Sequence, residues 1–379
     1  MSAADRALAT VLMAAVLLAA ACQSRPGAGS APPPSRASRT VTAPAKTVAK
    51  FIYAAQSDGT VHVYDLTRSH QEIKTISVFA CCADVRGVAA AAPTHRLFVM
   101  YNKASEGHVA ALNLATDQVL WDKVLHSPGV DRGNIAPDGM SLYLPTWESD
   151  VNTPYELVVD GLTGAEVARV TLPPRSHDTI VSLDGKRVYM ETKSLTHAMY
   201  VADTFSNQVV LTISGYCCSG QLAPFSVNGK GTRVVNDVVG YNGFELADLT
   251  TGRVIASVPF ASGTQGHGIA WTPDEREVWV NDGGVNAVHV FDMTAMPPKE
   301  TRQVAVSNKS PHWLTFSIDG RYAFVAGRKN RGERTDVVDA KTYEPVGSLS
   351  PSEDLLEVDF IDGVVSAVGN QFGIGRVVA

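Results

Sequence analysis

SLDGKRVYM, residues 182–190, is the stretch that decides the fold: a Ser-x-Asp-Gly turn followed by a short strand of alternating residues. Clear copies recur as SVNGKGTRVV, TPDEREVWV and SIDGRYAFV, and weaker copies as APDGMSLYL, AAPTHRLFV and FIDGVVSAV. These seven copies begin at residues 91, 136, 182, 226, 272, 317 and 360, so the period is 43 to 46 residues. A period of this length indicates a repeat architecture in which each unit buries its faces against its neighbours.

A second periodic feature gives the number of strands in a unit. In every unit an alternating strand ends in Asp or Asn before turn residues, at Asp65, Asn113, Asp160, Asp203, Asp248, Asp292 and Asp339. Asp-Gly and Thr-Gly between alternating strands are typical of β-hairpins, which gives four antiparallel strands, A to D, in each unit. The sequence therefore predicts an all-β, seven-bladed β-propeller of four-stranded antiparallel blades over residues 51–379.

The two ends of this region complement each other. It begins with strands of B, C and D type and finishes with an A-type strand, LLEVDFI at 355–361, followed by two more. We therefore expect the last blade to combine strands from both ends of the chain and to close the ring. An additional B-type strand, VVSAVG at 364–369, leaves eight blades open as an alternative.

Composition indicates a folded protein, and net charge argues against a nucleic-acid partner. Hydrophobic residues make up 45% of the 379 residues and charged residues 18%, which is typical of a folded chain with a large core. The formal net charge is −6 at pH 7. An acidic chain without a basic patch argues against a nucleic-acid partner.

The first fifty residues predict a targeting signal followed by a flexible linker. Residues 1–21 contain an uncharged run that is too short to span a bilayer and reads as a signal peptide. The end of this run, LAAAC at 18–22, resembles the bacterial lipobox, which implies lipidation of Cys22; ordinary cleavage near Ala21 is the alternative. Residues 22–50 are rich in Pro, Ser and Ala and read as a lipid-anchored linker. We expect an exported, membrane-anchored lipoprotein of the periplasm or cell surface.

The repeat also resembles a known family. The strands VYMET, VWVND, FVAGR and FVMYN follow the Asp-Gly-type turns and are similar to the Tyr-Val-x-Asn strand of the YVTN-type β-propeller repeat. The resemblance covers residues 51–379 and implies a propeller without implying one activity. Related propellers include surface proteins, lactonases, haem d1 and quinoprotein relatives, and periplasmic metal carriers.

Candidate ligand-binding residues occupy one equivalent position in each unit. In a propeller, the D-to-A loops and the starts of the A strands gather around one mouth of the central channel. Five residues before each copy of the turn, this position holds Arg86, Asp131, His177, Gln221, His267, His312 and Leu355. We predict Arg86, Asp131 and Gln221 as ligand-binding residues at the channel mouth. Imidazoles that converge with a carboxylate suit Zn or Cu, so His177, His267 and His312 are candidate metal ligands, with packing as the alternative.

Two adjacent cysteine pairs lie in D-to-A loops three units apart: Cys81 with Cys82, and Cys217 with Cys218. In an exported protein such thiols are expected to be oxidised. A bridge between the loops requires Cα atoms within about 7 Å. Bridging of the loops and two vicinal disulfides both stay open. Three roles also stay open for the cysteines: stabilising the loops, forming an apolar or redox platform over a bound ligand, and binding a metal through thiolates.

The sequence contains none of the common catalytic or nucleotide-binding motifs. It therefore predicts a binding scaffold at the cell envelope, whose partner is an envelope protein or a small-molecule ligand, and catalysis is not predicted. The alternative is a periplasmic metal- or cofactor-binding propeller that uses the histidine positions at the channel mouth. Such a protein would be a metal carrier, a lactonase-like enzyme or a quinoprotein or haem d1 relative.

Overall fold

The computed structural model describes residues 46–218 and 221–378. The predicted signal peptide, Cys22 and the linker up to residue 45 lie outside the described residues. In the described ranges the chain consists of strands and loops, with one short 3-10 helix at Lys329–Arg331. These ranges contain no helix of the length and apolar character needed to cross a membrane.

The strands of the described residues are short and follow one another along the chain. They are β1 Val48–Ala55, β2 Thr60–Asp65, β3 Gln71–Ser77, β4 Asp84–Ala91, β5 Arg96–Lys103, β6 Glu106–Asn113, β7 Val119–Val124, β8 Asn134–Ile135, β9 Ser141–Leu144, β10 Tyr155–Asp160, β11 Glu166–Thr171, β12 Ser176–Val181, β13 Arg187–Thr192, β14 Ala198–Asp203, β15 Gln208–Ser214, β16 Leu222–Val227, β17 Arg233–Val238, β18 Gly243–Asp248, β19 Arg253–Pro259, β20 Gly266–Trp271, β21 Glu277–Asp282, β22 Ala287–Asp292, β23 Lys299–Ala305, β24 Pro311–Phe316, β25 Tyr322–Gly327, β26 Thr335–Asp339, β27 Glu344–Leu349, β28 Asp354–Ile361 and β29 Val364–Val368.

These strands pair in chain order as four-stranded antiparallel sheets. The sets β4–β7, β8–β11, β20–β23 and β24–β27 each form one such sheet. The sets β12–β15 and β16–β19 do the same and are joined into one larger sheet by a single parallel residue pair, Ser214 with Arg253. The first strands of successive sets contact each other in series, and the series returns from β28 to β4. The predicted all-β architecture of four-stranded sheets in a propeller-like arrangement is therefore confirmed.

The two ends of the chain meet in one sheet, as the sequence predicts. Strand β28 pairs with β1 from Asp354 opposite Ala55 to Ile361 opposite Val48, and the sheet continues outward through β2 and β3. Strand β1 begins at Val48, three residues before the start predicted from the repeat. The additional strand β29 pairs with the other edge of β28. It is therefore an addition to the terminal sheet, and no further four-stranded sheet begins with it within the described chain.

After β29, residues 370–375 lie between the first strands of the sheets; we call this segment the C-terminal plug. The sequence predicts a second additional strand here, but the structure has none among residues 369–378. Backbone carbonyls of the plug instead accept hydrogen bonds from the first strands, at Asn370 from Thr315 Oγ1 (2.6 Å), at Gln371 from Trp313 Nε1 (2.7 Å) and at Gly373 from Ser226 Oγ (2.9 Å). The Gln371 side chain accepts from Val88 N at 2.9 Å and donates to the Gly133 carbonyl at 3.0 Å. The plug therefore fills the centre of the ring.

Apolar cores lie between neighbouring sheets. In one of them Trp279 is fully buried, with its ring edge-to-face against Phe316 at 5.3 Å and stacked on Tyr343 at 5.7 Å. Alternation along each strand supplies such residues to both faces of a sheet, so every sheet is covered on both sides by its neighbours. This packing fixes the positions of the sheets around the ring.

Candidate functional site

Irregular pairing near the start of the first strands determines where the candidate residues point. The register shifts between Val85 and Gly87 in β4, Ser176 and Thr179 in β12, Gly266 and Ile269 in β20, and Pro311 and Trp313 in β24. An irregularity of this kind breaks the strict alternation of side chains and re-aims them. Arg86, His177, His267 and His312 all lie inside these shifts. Four of the seven equivalent positions singled out from the sequence therefore lie where the backbone departs from a regular strand.

Arg86 and Asp131 form a bidentate ion pair at the mouth of the channel. Nε and Nη2 of Arg86 donate to Oδ1 and Oδ2 of Asp131 at 3.1 and 2.7 Å, and Nη2 also donates to Glu148 Oε1 at 3.0 Å. Asp131 is fully buried. The planar guanidinium matches both carboxylate oxygens, so this pair holds the Asp131 side chain in one orientation.

His177 lies among three carboxylates. Its Nδ1 is 2.7 Å from Glu191 Oε1 and 3.0 Å from Asp178 Oδ2, and its Nε2 is 3.8 Å from Glu148 Oε2. Lys193 Nζ lies 3.0 Å from the same Glu148 oxygen. Burial opposes the charged imidazole, but the Asp178 and Asp131 carboxylates together outweigh it and raise the pKa of His177 to about 9. Burial raises the pKa of Glu191, so this carboxyl group retains its proton above its usual range.

We call Arg86, Asp131, Glu148, His177, Asp178, Glu191 and Lys193 the mouth cluster. Asp178 has no exposed surface, and neither of its oxygens accepts a hydrogen bond, although Oδ2 faces the His177 ring. Oε2 of the buried Glu191 also has no hydrogen-bond partner. One potential ligand atom from each of Asp131, His177 and Asp178 lies within 4.8 Å of the other two. Within the described residues, Asp131, His177 and Asp178 thus form a buried set of side chains of the kinds that bind metals. Some carboxyl oxygens of the cluster accept no hydrogen bond.

The other two candidate histidines form a separate pair. The rings of His267 and His312 stack with centroids 3.9 Å apart, and His267 Nδ1 is 3.1 Å from the His312 carbonyl oxygen. Burial lowers the pKa of both rings, which favours their neutral form. His312 Nδ1 faces Glu353 Oε2 at 3.1 Å. In the described part of the chain neither histidine belongs to the Asp131 group, so the predicted three-histidine set is divided between two places.

Arg132 lies next to Asp131 in the chain and contacts Glu353, the partner of His312, as well as Trp313 beside the plug. Its Nη2 donates to Glu353 Oε2 at 3.1 Å, and its Nε lies 3.5 Å from Asp354 Oδ1. Its guanidinium carbon lies 3.9 Å from the centre of the Trp313 ring, whose Nε1 donates to the plug. A cation over an aromatic face is stabilised by the ring quadrupole. Arg132 therefore links the residues beside Asp131 to Trp313 and, through Trp313, to the plug.

Gln221, the third predicted mouth residue, is half-buried directly before β16, and its carbonyl accepts a hydrogen bond from Val239 N at 3.0 Å. Its counterpart Leu355 is buried in β28. The structure therefore brings Arg86, Asp131 and His177 together out of the seven equivalent positions.

The two cysteine pairs differ from each other. Cys81 and Cys82 form a vicinal disulfide on the surface, in the loop between β3 and β4. Cys217 and Cys218 are free thiols with their sulfur atoms 2.7 Å apart. Burial and the neighbouring Cys218 raise the pKa of Cys217 to about 12, which leaves little thiolate at neutral pH. The structure thus contains one of the two vicinal disulfides that the sequence left open and no bridge between the loops.

The sequence reading missed four members of the mouth cluster: Glu148, Asp178, Glu191 and Lys193. Asp178 directly follows His177, and regular alternation would place it on the opposite side of the strand. Glu191 occupies the strand position that holds Asn281 in the YVTN-like copy VWVND. The replacement of the Asn of the repeat by Glu191 was therefore the signal in the sequence that could have identified this residue.

Comparison with known proteins supports the fold. No protein-family model and no curated protein matches the chain. The chain is similar to the solved structure of hydrazine synthase from Kuenenia stuttgartiensis, with 17% sequence identity and a TM-score of 0.59 over 68% of this chain and 77% of that one. At this level of identity the similarity shows a shared fold and carries no information on activity.

Proposed function

We propose that this chain is an exported, lipid-anchored β-propeller of seven blades that acts as a ligand-binding scaffold at the cell envelope, with the mouth cluster as its binding surface. The seven-copy repeat and the closed series of first strands support the blade count. The signal-peptide pattern and the lipobox resemblance at Cys22 support export and anchoring. The Tyr-Val-x-Asn strands support a place among YVTN-type propellers.

The observation that carries the binding function is the presence in the mouth cluster of buried carboxyl oxygens that have no hydrogen-bond partner. They are Oδ1 of Asp178 and Oε2 of Glu191, while Oδ2 of Asp178 contacts only His177 Nδ1, at 3.0 Å. A buried carboxyl oxygen without a hydrogen-bond partner is costly, and a protein retains such groups where a ligand satisfies them. We therefore propose that the ligand presents positive charge to the mouth.

Titration of the purified, detergent-solubilised protein with small cations tests this function. After treatment with EDTA, the protein is titrated calorimetrically with spermidine and with divalent metal ions. We expect at least one of these cations to bind with a stoichiometry of one and to bind more weakly to Glu148→Gln. Glu72→Gln is the matched control, because Glu72 pairs with His62 on the outer strands, away from the mouth. Absence of binding by every cation, or equal binding by Glu148→Gln and the wild type, would refute the proposal.

A further inference from the structure

The side chains of two consecutive residues of β12, His177 and Asp178, lie on the same side of the strand. The register shift between Ser176 and Thr179 encloses His177 and Asp178, and both side chains are buried at the mouth. Nδ1 of His177 is 3.0 Å from Asp178 Oδ2. A regular strand cannot place neighbouring side chains on one side, so the irregularity is what creates this pair of donors.

Asp131 approaches the pair from the segment before β8. A parallel bridge between Arg132 and Asp178 ties this segment to β12, and the Arg132 carbonyl accepts a hydrogen bond from Thr179 N at 3.0 Å. One donor atom from each of Asp131, His177 and Asp178 then lies within 4.8 Å of the others. In a tetrahedral zinc site with bonds of about 2.1 Å, ligand atoms are about 3.4 Å apart, so side-chain movements of about 1 Å would complete the site.

The surroundings have the features of a supporting shell. Arg86 fixes the orientation of Asp131 through its two hydrogen bonds, and Glu191 Oε1 contacts Nδ1 of His177 at 2.7 Å, which leaves Nε2 as the ring atom that would bind a metal. A carboxylate on the ring of a ligating histidine is the usual partner that orients the ring for the metal. Asp178 is the second observation that points to a ligand: it is fully buried, its Oδ1 has no hydrogen-bond partner, and its Oδ2 contacts only the His177 ring.

We infer that Asp131, His177 and Asp178 form a binding site for a divalent transition-metal ion of the Zn²⁺ class. This inference rests on the proposed binding function of the mouth and names the chemical class of the ligand. One imidazole and two carboxylates favour Zn²⁺ over Ca²⁺ or Mg²⁺, which prefer all-oxygen sites, and over Cu(I), which prefers sulfur. His267 and His312 are not ligands, which distinguishes the site from the three-histidine set expected from the sequence.

The test uses the full protein purified in detergent, stripped with EDTA and dialysed against Zn²⁺ or Co²⁺. We expect one metal ion per chain by elemental analysis and a d–d absorption band from bound Co²⁺. Asp178→Asn should weaken metal binding more than about tenfold. Should Asp178→Asn fail to fold, His177→Gln carries the same test. His312→Gln is the matched control and should bind metal like the wild type.

The outcomes separate this inference from the proposed function. Wild-type protein without stoichiometric metal, or unchanged metal binding in Asp178→Asn, would overturn the inference. Loss of metal in His312→Gln equal to that in His177→Gln would also overturn it, in favour of the three-histidine set. If spermidine binds in a Glu148-dependent manner while no metal binds, only the inference fails. If neither binds, the proposed function fails with it.

Discussion

Replacement of Phe372 by alanine tests whether the C-terminal plug is part of the folded core. The Phe372 side chain is 1% exposed, with its ring centre 5.7 Å from that of Trp313 and 6.3 Å from that of Phe225. Truncation leaves a cavity between the first strands of several sheets, where the backbone cannot collapse without breaking its hydrogen bonds. We expect the free energy of unfolding to fall by about 3–5 kcal/mol, the usual cost of deleting a buried phenyl group.

Equilibrium unfolding in urea, followed by tryptophan fluorescence, measures this cost. Phe205→Ala is the control, because the Phe205 side chain is 98% exposed, and its replacement should change stability by less than about 0.5 kcal/mol. A loss below about 1 kcal/mol in Phe372→Ala would show that the tail is only loosely attached. In that case the plug would not be a fixed part of the centre of the ring.

Three further predictions concern charge, pH and thiols. Arg86→Ala leaves the buried Asp131 carboxylate without its main partner and should cost about 3–5 kcal/mol in urea unfolding; a cost within 1 kcal/mol would contradict the ion-pair argument. Burial raises the pKa of Glu156 to about 8, so between pH 4.5 and 8 the folded protein holds a proton that the unfolded chain has lost. This group should therefore lower stability as pH rises through this window, by up to about 1.4 kcal/mol per pH unit, and Glu156→Gln should reduce the slope of the profile by that amount; an unchanged slope would refute the assignment. Iodoacetamide without reductant should label Cys218 first and Cys217 slowly, and mass spectrometry should find residues 81 and 82 unlabelled; rapid labelling of all four would contradict the disulfide.

Much of the fold follows from local signals in the sequence. The Asp-Gly-type turns are read from neighbouring residues, and the constant spacing of the copies places each turn in the same position of its sheet. The pairing of β1 with β28 was predictable because the ends supply complementary strand types. The plug was not predictable, because residues 370–375 are held by contacts with strands that are distant in sequence.

The candidate site was predictable only at its equivalent positions. Counting back from each turn identifies Arg86, Asp131 and His177, which the structure brings together. It does not identify Asp178, because the shift in β12 is set by backbone pairing that the pattern of residue types does not reveal. It also does not separate His267 and His312 from His177, since their stacking depends on the distance between neighbouring first strands.

The pairing of the two chain ends also determines which way the mouth faces. Strand β28 begins with Asp354 beside Arg132 and ends seven residues later at Ile361, about 23 Å away, opposite Val48. The tail returns to the same far side, where Arg376 N donates to the Pro273 carbonyl at 3.1 Å and Val377 N donates to Glu275 Oε1 at 3.0 Å. Val48 and the tail residues Arg376 and Val377 therefore lie at the face opposite Asp354 and the mouth cluster. The candidate site and the two ends of the described chain thus occupy opposite faces of the ring.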